Sequence, residues 1–425
     1  MNVCMQIGDK LRQLRIYKGL SQASLAEGIC STAYLSKVEN GKTTPSASFL
    51  EKITIKLEVE PFVFGTQKAL YYKNLIKQLE EKMQLEEFTE KEISTLYLAL
   101  YETLSMDLQV KVFNLLMHYY IQKKMYSDAQ KLYELCEKII PLETELILED
   151  KQDIFTFYNL LGNYFYMQQQ YHSADYYYTK AKDCGHKSRL QLAKIFFNLS
   201  LTKQRILDDM HISLIYARES YDLFEKEKKH KEAIAVLVSM AVQYTHIKNF
   251  EEAKNCLEAA QQKLHQYPET QQKPTMFMME YHYGKLFEAM GNDDAALQKY
   301  ITLTNTLEED ASSVYVLQSM VNLYFKQKQW VQVQKYCNRA MNLAERFQMN
   351  YIYIQLMIVR ANILKIRQDN VGYEKEMKKA LTLAKDASLS KLIKEIAYTL
   401  GDYYMEQRFY KKSSECYKTA LLAMK

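Results

Sequence analysis

The stretch SQASLAEGICSTAYLSKVENG, residues 21–41, has the pattern of two short helices joined by a sharp turn. Ser21 is a favourable N-cap for the first helix, and Gly28, which readily takes positive φ, permits a sharp turn after it. The second helix has an apolar stripe formed by Ile29, Leu35 and Val38. Two crossing helices joined in this way predict a helix-turn-helix, a motif that places its second helix in the major groove of DNA.

The outer face of the second helix carries short polar side chains and one cation. Ser31 is placed to cap this helix. The residues pointing away from the stripe are Thr32, Ala33, Ser36 and Lys37. Such side chains suit a major groove. Residues 1–65 hold eight basic and six acidic side chains, an excess too small for tight nonspecific binding of DNA by one copy. We therefore expect binding to need two copies or good base contacts.

Helices on both sides of this stretch complete a small domain. Residues 7–18 have the apolar spacing of an amphipathic helix, which Gly19 ends. A further helix is expected after Pro45, Pro61 breaks it, and the apolar residues 62–64 are expected to close a small core. The sequence thus predicts a helix-turn-helix domain over residues 1–65.

The whole chain has the composition of an all-α protein. It has 425 residues, of which 48% are hydrophobic, so it can bury more than one core. Only 5 Pro and 11 Gly occur, and few helix breakers favour helices throughout. The 35 Tyr indicate extensive packing between helices, with hydroxyl groups reaching the surface.

Residues 66–109 are helical and charged in pattern, and TEKE at 89–92 predicts a capping box at the start of a helix. Two interpretations of this segment remain open. It is either a pair of linker helices or a degenerate first repeat.

Residues 110–425 contain an internal repeat. Small residues recur 12 positions apart, with another small residue 7 positions later, as in Gly162, Ala174 and Ala181. Small side chains let two antiparallel helices approach closely, and this spacing is typical of tetratricopeptide repeats. About eight units are predicted, with first positions 37 to 45 residues apart against a usual repeat of about 34. We expect a right-handed superhelix whose first helices line a concave groove.

Amide side chains recur at the repeat positions expected to face this groove. Asn carries both a donor and an acceptor, so a row of Asn can bind the backbone of an extended peptide without reading its sequence. The alternative is that each Asn bonds a neighbouring helix or water. The predicted peptide-binding residues are Asn159, Asn163, Asn198, Tyr281, Lys285, Gln318, Asn322, Ile358, Asn362, Tyr398 and Asp402.

No motif of catalysis, of metal binding or of phosphate binding is present in the sequence. The seven Cys are single and the eight His lie apart, so we expect no cofactor, no metal and no enzymatic activity. No apolar run is long enough for a membrane span, and the amino terminus lacks a signal-peptide pattern. A cytoplasmic location is therefore expected, because single cysteines are typical of a reducing compartment.

The two features together resemble a known family. YLSKVENG followed by KTTPS is similar to the repressor type of helix-turn-helix, and EGICSTAYLSKVENG is similar to the form found in PlcR. Over its whole length the chain resembles the peptide-responsive quorum-sensing regulators of the Rap, Rgg, NprR, PlcR and PrgX group. The chain length and number of repeats are closer to those of NprR.

The resemblance implies roles for individual residues. It implies phosphate contacts for Gln22, Asn40, Lys42 and Thr43, and base contacts for Thr32, Ala33 and Lys37. It also implies a structural ion pair between Arg15 and Glu39. Ala33 offers only a methyl contact where the family often has a polar residue, so its side chain can make no hydrogen bond to a base. The predicted DNA-binding residues are Gln22, Ser31, Thr32, Ala33, Tyr34, Ser36, Lys37, Asn40, Lys42 and Thr43.

Two functions follow as hypotheses. The first is a homodimeric transcription regulator that binds a pseudo-palindromic operator in double-stranded DNA and is controlled by a short signalling peptide in the groove. The second is a Rap-like interaction module that sequesters or dephosphorylates a response regulator. The partners expected from the resemblance are therefore DNA, a peptide, a second copy of the chain and, in the second hypothesis, a response regulator.

Overall fold

The structure is a computed structural model, which describes residues 7–59, 68–82, 88–102, 104–140, 151–184, 188–206, 210–270, 273–306, 309–387 and 389–423. Within these ranges the chain forms α-helices joined by short turns, with one 3-10 turn at Pro268–Thr270 and no strand. The chain divides into two compact units, Met1–Lys229 and His230–Lys425. The predicted all-α fold is confirmed.

The first unit begins with the helices of the predicted helix-turn-helix. They are α1 Ile7–Tyr17, α2 Gln22–Ala26, α3 Thr32–Glu39 and α4 Ala47–Leu57. Serine side chains cap three of them, because Ser21, Ser31 and Ser46 each accept a hydrogen bond from the N–H three residues later. Their buried core includes Leu11, Leu14, Leu25, Leu35, Val38 and Ile53.

Two details of the predicted domain differ or lie outside the structure. Ile29 packs against the core from the turn, whereas α3 begins three residues later at Thr32. Gly28 in that turn has φ +76°, the left-handed conformation for which glycine was expected. Pro61 and the apolar residues 62–64 lie outside the described residues.

The rest of the first unit consists of paired helices. They are α5 Lys68–Lys82, α6 Glu90–Ala99, α7 Met106–Gln122, α8 Tyr126–Ile139, α9 Lys151–Met167, α10 Tyr171–Asp183, α11 Arg189–Ile206 and α12 His211–Lys226. The predicted capping box opens α6. The Thr89 hydroxyl accepts a hydrogen bond from the Glu92 N–H at 3.2 Å, and the Glu92 carboxylate accepts one from the Thr89 N–H at 2.8 Å.

The second unit continues the pairing with greater regularity. Its helices are α13 His230–His246, α14 Phe250–Gln266, α15 Lys273–Ala289, α16 Asp293–Thr306, α17 Ala311–Lys326, α18 Trp330–Arg346, α19 Asn350–Ile366, α20 Asn370–Asp386, α21 Ser390–Glu406 and α22 Tyr410–Leu422. From α18 onward the helices begin at even intervals, at positions 330, 350, 370, 390 and 410. A two-helix unit such as 330–369 is therefore longer than the usual repeat of about 34 residues, and the added length lies in the helices rather than in the short turns between them.

Several turns between these helices share one geometry. Lys328, Gln348, Gln368 and Arg408 all have φ between 55° and 64°, in the left-handed region. The next residue donates its N–H to the carbonyl five positions earlier, as Met349 does to Ala344 at 2.8 Å. This is the Schellman motif, which satisfies the last carbonyl groups of a helix.

Small residues bring the paired helices into contact, as the repeat pattern predicted. A Cβ added at Gly162 would lie 2.4 Å from the ring of Tyr178, and one added at Gly284 would lie 2.4 Å from the ring of Tyr300. The tyrosine follows the glycine at the same interval of sequence in both pairs. Each ring therefore occupies the space that a side chain would otherwise need.

Candidate functional site

The outer face of α3 is exposed, while its inner face is buried in the domain core. Leu35 and Val38 have almost no exposed surface. The exposed side chains are those of Ser31, Thr32, Ala33 and Lys37. Ser36 is half-buried, and its backbone carbonyl accepts a hydrogen bond from Asn40 Nδ2 at 2.8 Å. The side chains predicted to reach base edges therefore share one free surface of a helix whose opposite side is fixed.

A buried glutamate links three helices of this domain. The Glu39 side chain is 1% exposed, and its two carboxylate oxygens accept hydrogen bonds from Arg15 at 2.7 and 3.0 Å. Gln22 Nε2 also donates to Glu39, at 2.7 Å. The ion pair implied by the resemblance is thus present. It extends to Gln22, whose amide nitrogen uses one of its two N–H donors on the carboxylate and keeps the other N–H for the predicted phosphate contact.

The remaining predicted DNA-binding residues surround the end of α3. Asn40 is exposed and ends the helix, Lys42 is exposed, and Thr43 is half-buried. Tyr34 is half-buried, and its ring lies edge-on to Phe49 with ring centroids 5.2 Å apart. Tyr34 therefore supports the packing of α3 against α4, in addition to any contact it makes outside the domain.

No pattern in the sequence indicates how this domain contacts the helices that follow it. Lys10 of α1 forms an ion pair with Glu102, and both side chains are nearly inaccessible to solvent. Tyr17 stacks on Tyr97 with centroids 4.0 Å apart, and its hydroxyl is 2.8 Å from that of Tyr120 in α7. Burial raises the pKa of Tyr17 to about 12, so its hydroxyl stays protonated at neutral pH. The domain is therefore fixed to α6, α7 and the residue Glu102 by an ion pair, a hydrogen bond and a ring stack, and Leu98 of α6 is buried in its core.

Three of the predicted peptide-binding amides lie together in the first unit. Asn198 Nδ2 is 3.4 Å from the Oδ1 atoms of both Asn159 and Asn163, and the hydroxyl of Tyr178 donates to Asn163 Oδ1 at 2.8 Å. All three amides are half-buried. The structure thus brings them together, and they bond to one another and to a neighbouring helix, as the alternative interpretation expected.

The amides of the second unit are arranged differently. Asn322 is exposed and Asn362 half-buried, and neither amide hydrogen-bonds to another described residue. Gln318 donates to Gln355 at 2.6 Å, which links α17 to α19. Ile358 is half-buried on α19. Asn322 and Asn362 therefore keep both donor and acceptor groups available within this part of the chain.

The other predicted groove residues fall into two places in the second unit. Tyr281 and Lys285 of α15 line a cavity of about 630 Å³ between α13 and α15. Tyr398 packs against Tyr417, whose hydroxyl donates to Asp402 at 2.7 Å. The equivalent positions of other repeats are not always accessible, because Asn114 and Val238, which occupy them, are buried.

Neither a metal centre nor a membrane span is found within the described ranges. No group of three or more His, Cys, Asp or Glu there could hold a metal ion. No helix there is long and apolar enough to cross a bilayer.

Comparison with known proteins identifies the first domain. The family model described as Helix-turn-helix matches residues 11–64. This part of the chain is a helix-turn-helix domain. A sequence comparison with curated proteins finds no match.

Solved structures with the same fold cover most of the chain. The apo form of the quorum sensor NprR from B. thuringiensis has a TM-score of 0.58 and 15% identity, over 84% of this chain and 97% of that one. NprR in complex with its cognate peptide NprX has a TM-score of 0.53 and 15% identity, over 83% and 99%. A Rap protein complexed with Competence and Sporulation Factor has a TM-score of 0.55 and 14% identity, over 83% and 95%.

These similarities establish the fold of the chain. The chain has the fold of the Rap and NprR proteins. The predicted resemblance to this group is confirmed at that level, including a helix-turn-helix followed by helical repeats of the tetratricopeptide type.

Proposed function

We propose that the chain is a homodimeric transcription regulator that binds double-stranded DNA and is controlled by a short signalling peptide bound to its repeat helices. The observation that carries this proposal is the exposed face of α3. This face exposes the side chains of Thr32, Ala33 and Lys37. The opposite side of the helix is held in the domain by buried apolar residues and by Glu39, as a recognition helix requires.

The weak charge of the domain supports a dimer. Residues 1–65 hold only two more basic than acidic side chains, so a single copy gains little from phosphate contacts. Two copies joined by the rest of the chain would read two half-sites, and the distance between the recognition helices would then select the operator. A peptide can change this affinity only by binding one arrangement of the dimer better than another.

Control by a peptide is supported by the second unit and by the fold. NprR, which shares this fold, has been solved with its cognate peptide. In this chain the amides of Asn322 and Asn362 hydrogen-bond to no described residue, and Tyr281 and Lys285 line an accessible cavity. These groups match the needs of an extended peptide, which presents a backbone donor and acceptor at each residue.

The DNA hypothesis is tested by selecting operators from a library of duplexes with a randomised central segment. The full chain is expected to enrich a two-fold related motif. Thr32→Ala combined with Lys37→Ala should bind the selected duplex at least about 30-fold more weakly, because each base contact contributes about 1–3 kcal/mol. A gel-shift titration at fixed salt measures the loss.

A matched control replaces the same two residue types by alanine at a site far from α3. Lys375→Ala with Thr382→Ala removes an exposed lysine and an exposed threonine from α20, and this variant should bind DNA like the unchanged chain. Equal affinity of both variants for the selected duplex would contradict the assigned recognition helix.

The same fold also supports the second candidate, capture of a response regulator, since a Rap protein shares it. This function needs no sequence-specific contact from α3. If the random library yields no enriched motif, the Rap-like function becomes the better explanation. Co-purification of the chain with response-regulator receiver domains would then test it directly.

A further inference from the structure

One cavity in the second unit combines an apolar wall with cationic groups. It lies between α13 and α15, has a volume of about 630 Å³, and is closed on one side by the start of α14. This volume is in the range of pockets that bind small ligands, about 300–1,000 Å³, and it is large enough for one or two amino-acid residues.

The polar side of the cavity includes two lysines and one glutamate, beside Thr245 and His246. Lys285 Nζ is 3.0 Å from the Glu288 carboxylate, and the hydroxyl of Tyr300 donates to the same Glu288 oxygen at 3.1 Å. Lys248 is exposed at the rim and forms no ion pair with a described residue. The two lysines and the glutamate together therefore carry one net positive charge.

The apolar side of the cavity is formed by residues of three helices. Val242 of α13, Phe250 of α14 and Tyr281 of α15 lie along it. His282 also lines the cavity, and burial together with the nearby Lys285 lowers the pKa of its imidazole to about 4. His282 is thus neutral at pH 7, and the positive charge of the cavity comes from the two lysines.

We propose that this cavity binds a carboxylate of the controlling peptide, with Lys285 as the group that recognises it. The inference rests on the proposed function and specifies the chemistry of its ligand. Lys285 would exchange Glu288 for the peptide carboxylate, and Glu288 would keep the hydrogen bond from Tyr300. The apolar wall would take the aliphatic or aromatic part of the same or the adjacent residue.

The ion pair within the cavity allows a test in which two substitutions should change the peptide affinity in opposite directions. Lys285→Met removes the recognising cation, and Glu288→Gln removes the carboxylate that competes for it. If Lys285 binds the peptide, the first substitution weakens binding of an acidic peptide and the second strengthens it. If the pair only stabilises α15, both substitutions break it and act in the same direction.

The experiment uses synthetic random heptapeptides and the full chain. Peptides retained by the protein are identified by mass spectrometry from two libraries, one with free carboxyl termini and one with amidated termini. We expect enrichment of Asp or Glu at one position in both libraries if a side chain supplies the carboxylate. Retention confined to the free-acid library is expected if the terminus supplies it.

Affinities of the most enriched acidic peptide are then measured by calorimetry. Lys285→Met should weaken binding about 10-fold or more, as expected for loss of a charge-assisted hydrogen bond, and Glu288→Gln should tighten it. The matched control is the Lys299–Glu280 pair on α16 and α15, because its lysine side chain is 36% exposed like that of Lys285 and it lies outside the cavity. Lys299→Met and Glu280→Gln should leave the affinity unchanged.

The possible failures separate the two proposals. If the unchanged chain retains no peptide from either library, control by a peptide is wrong, and the carboxylate site with it. If peptides are retained without any preference for an acidic residue or a free terminus, only the carboxylate site is wrong. Equal weakening by Lys285→Met and Glu288→Gln would likewise overturn it.

Discussion

The helix-turn-helix domain and the repeat helices that follow it are stabilised in different ways. For the domain, buried ion pairs join distant segments, because Glu39 pairs with Arg15 inside it and Lys10 pairs with Glu102 beyond it. In the repeat helices, the same contact of a glycine with a tyrosine ring recurs, and several turns of the second unit share one geometry. The first arrangement relies on a few charged contacts that differ from one another, whereas the second spreads stability over equivalent contacts.

This difference predicts how the two regions respond to substitution. Removing one partner of a buried ion pair leaves an uncompensated charge, which is costly in proportion to its burial. Removing one of many equivalent packing contacts costs only the free energy contributed by that contact, and such costs add when the sites are far apart. Substitutions should therefore cost most at the buried ion pairs, less at the close helix contacts and least in the turns.

The largest effect is expected for Lys10→Met. It removes the cation from beside the Glu102 carboxylate, whose side chain is 7% exposed. The cost should be about 3–5 kcal/mol, most of which Lys10→Met combined with Glu102→Leu should restore. Hydrogen exchange measured by mass spectrometry on peptides from α1 should accelerate about 100-fold or more, while exchange in α18 to α21 stays unchanged. Lys299→Met, which breaks the half-exposed ion pair of Lys299 with Glu280, should accelerate exchange in α16 only slightly. An equally small acceleration in α1 would show that burial of the ion pair does not set the cost.

An intermediate effect is expected for alanine at the close helix contacts. Gly162→Ala places a Cβ against the ring of Tyr178, which is 2% exposed and has no room to move. A loss of about 1–3 kcal/mol in the free energy of unfolding should follow.

Gly401→Ala makes the same contact with Tyr417, but that ring is half-buried and can turn away. The higher helix propensity of alanine, about 1 kcal/mol, should then offset most of the cost. Urea unfolding of the two variants measures both losses, and equal losses would show that the exposure of the ring does not set the cost.

The smallest effect is expected in the turns. Gln368 has φ 64° and Gly291 has φ 78° at equivalent turn positions. Gln368→Gly should raise the free energy of unfolding by about 0.5–1 kcal/mol, and Gly291→Ala should lower it by a similar amount. Thermal unfolding of Gln348→Gly with Gln368→Gly should show twice the shift of either single variant. A shift in melting temperature that differs clearly from the sum of the two single shifts would mean that the turns do not act independently.

Much of the fold follows from local sequence patterns. Ser21 and Ser31 cap the helices that they were predicted to cap, because an N-cap needs only a hydroxyl and a turn. The small residues at Gly162, Ala174 and Ala181 are buried between paired helices, because close packing excludes larger side chains there. These features depend on residues close together in the chain, so a single sequence is enough to predict them.

Contacts between distant residues were not visible in this way. Lys10 and Glu102 are 92 residues apart, and nothing in either segment marks them as partners. The tyrosines that fill the glycine gaps were missed too, although their constant interval after the glycine is a signal that a search could have used.

The candidate site was predicted less fully than the fold. Periodicity placed Thr32 and Lys37 on an exposed face, because burial of the opposite stripe decides which side is free. It could not show that Asn159 and Asn198 bond to each other, since that depends on side-chain conformations in two different helices. The predicted roles of these residues in binding DNA and peptide stay predictions.

The uniform turns of the second unit also affect how such a chain can evolve. Residues 330–369 and 370–409 each comprise two helices of equal length, and the turns that end the two blocks, at Gln368 and Arg408, have one geometry. Deleting or duplicating either block would join a helix end to a helix start in the conformation already used there. The gene segments that encode these blocks could therefore be lost or gained without a new junction having to be selected.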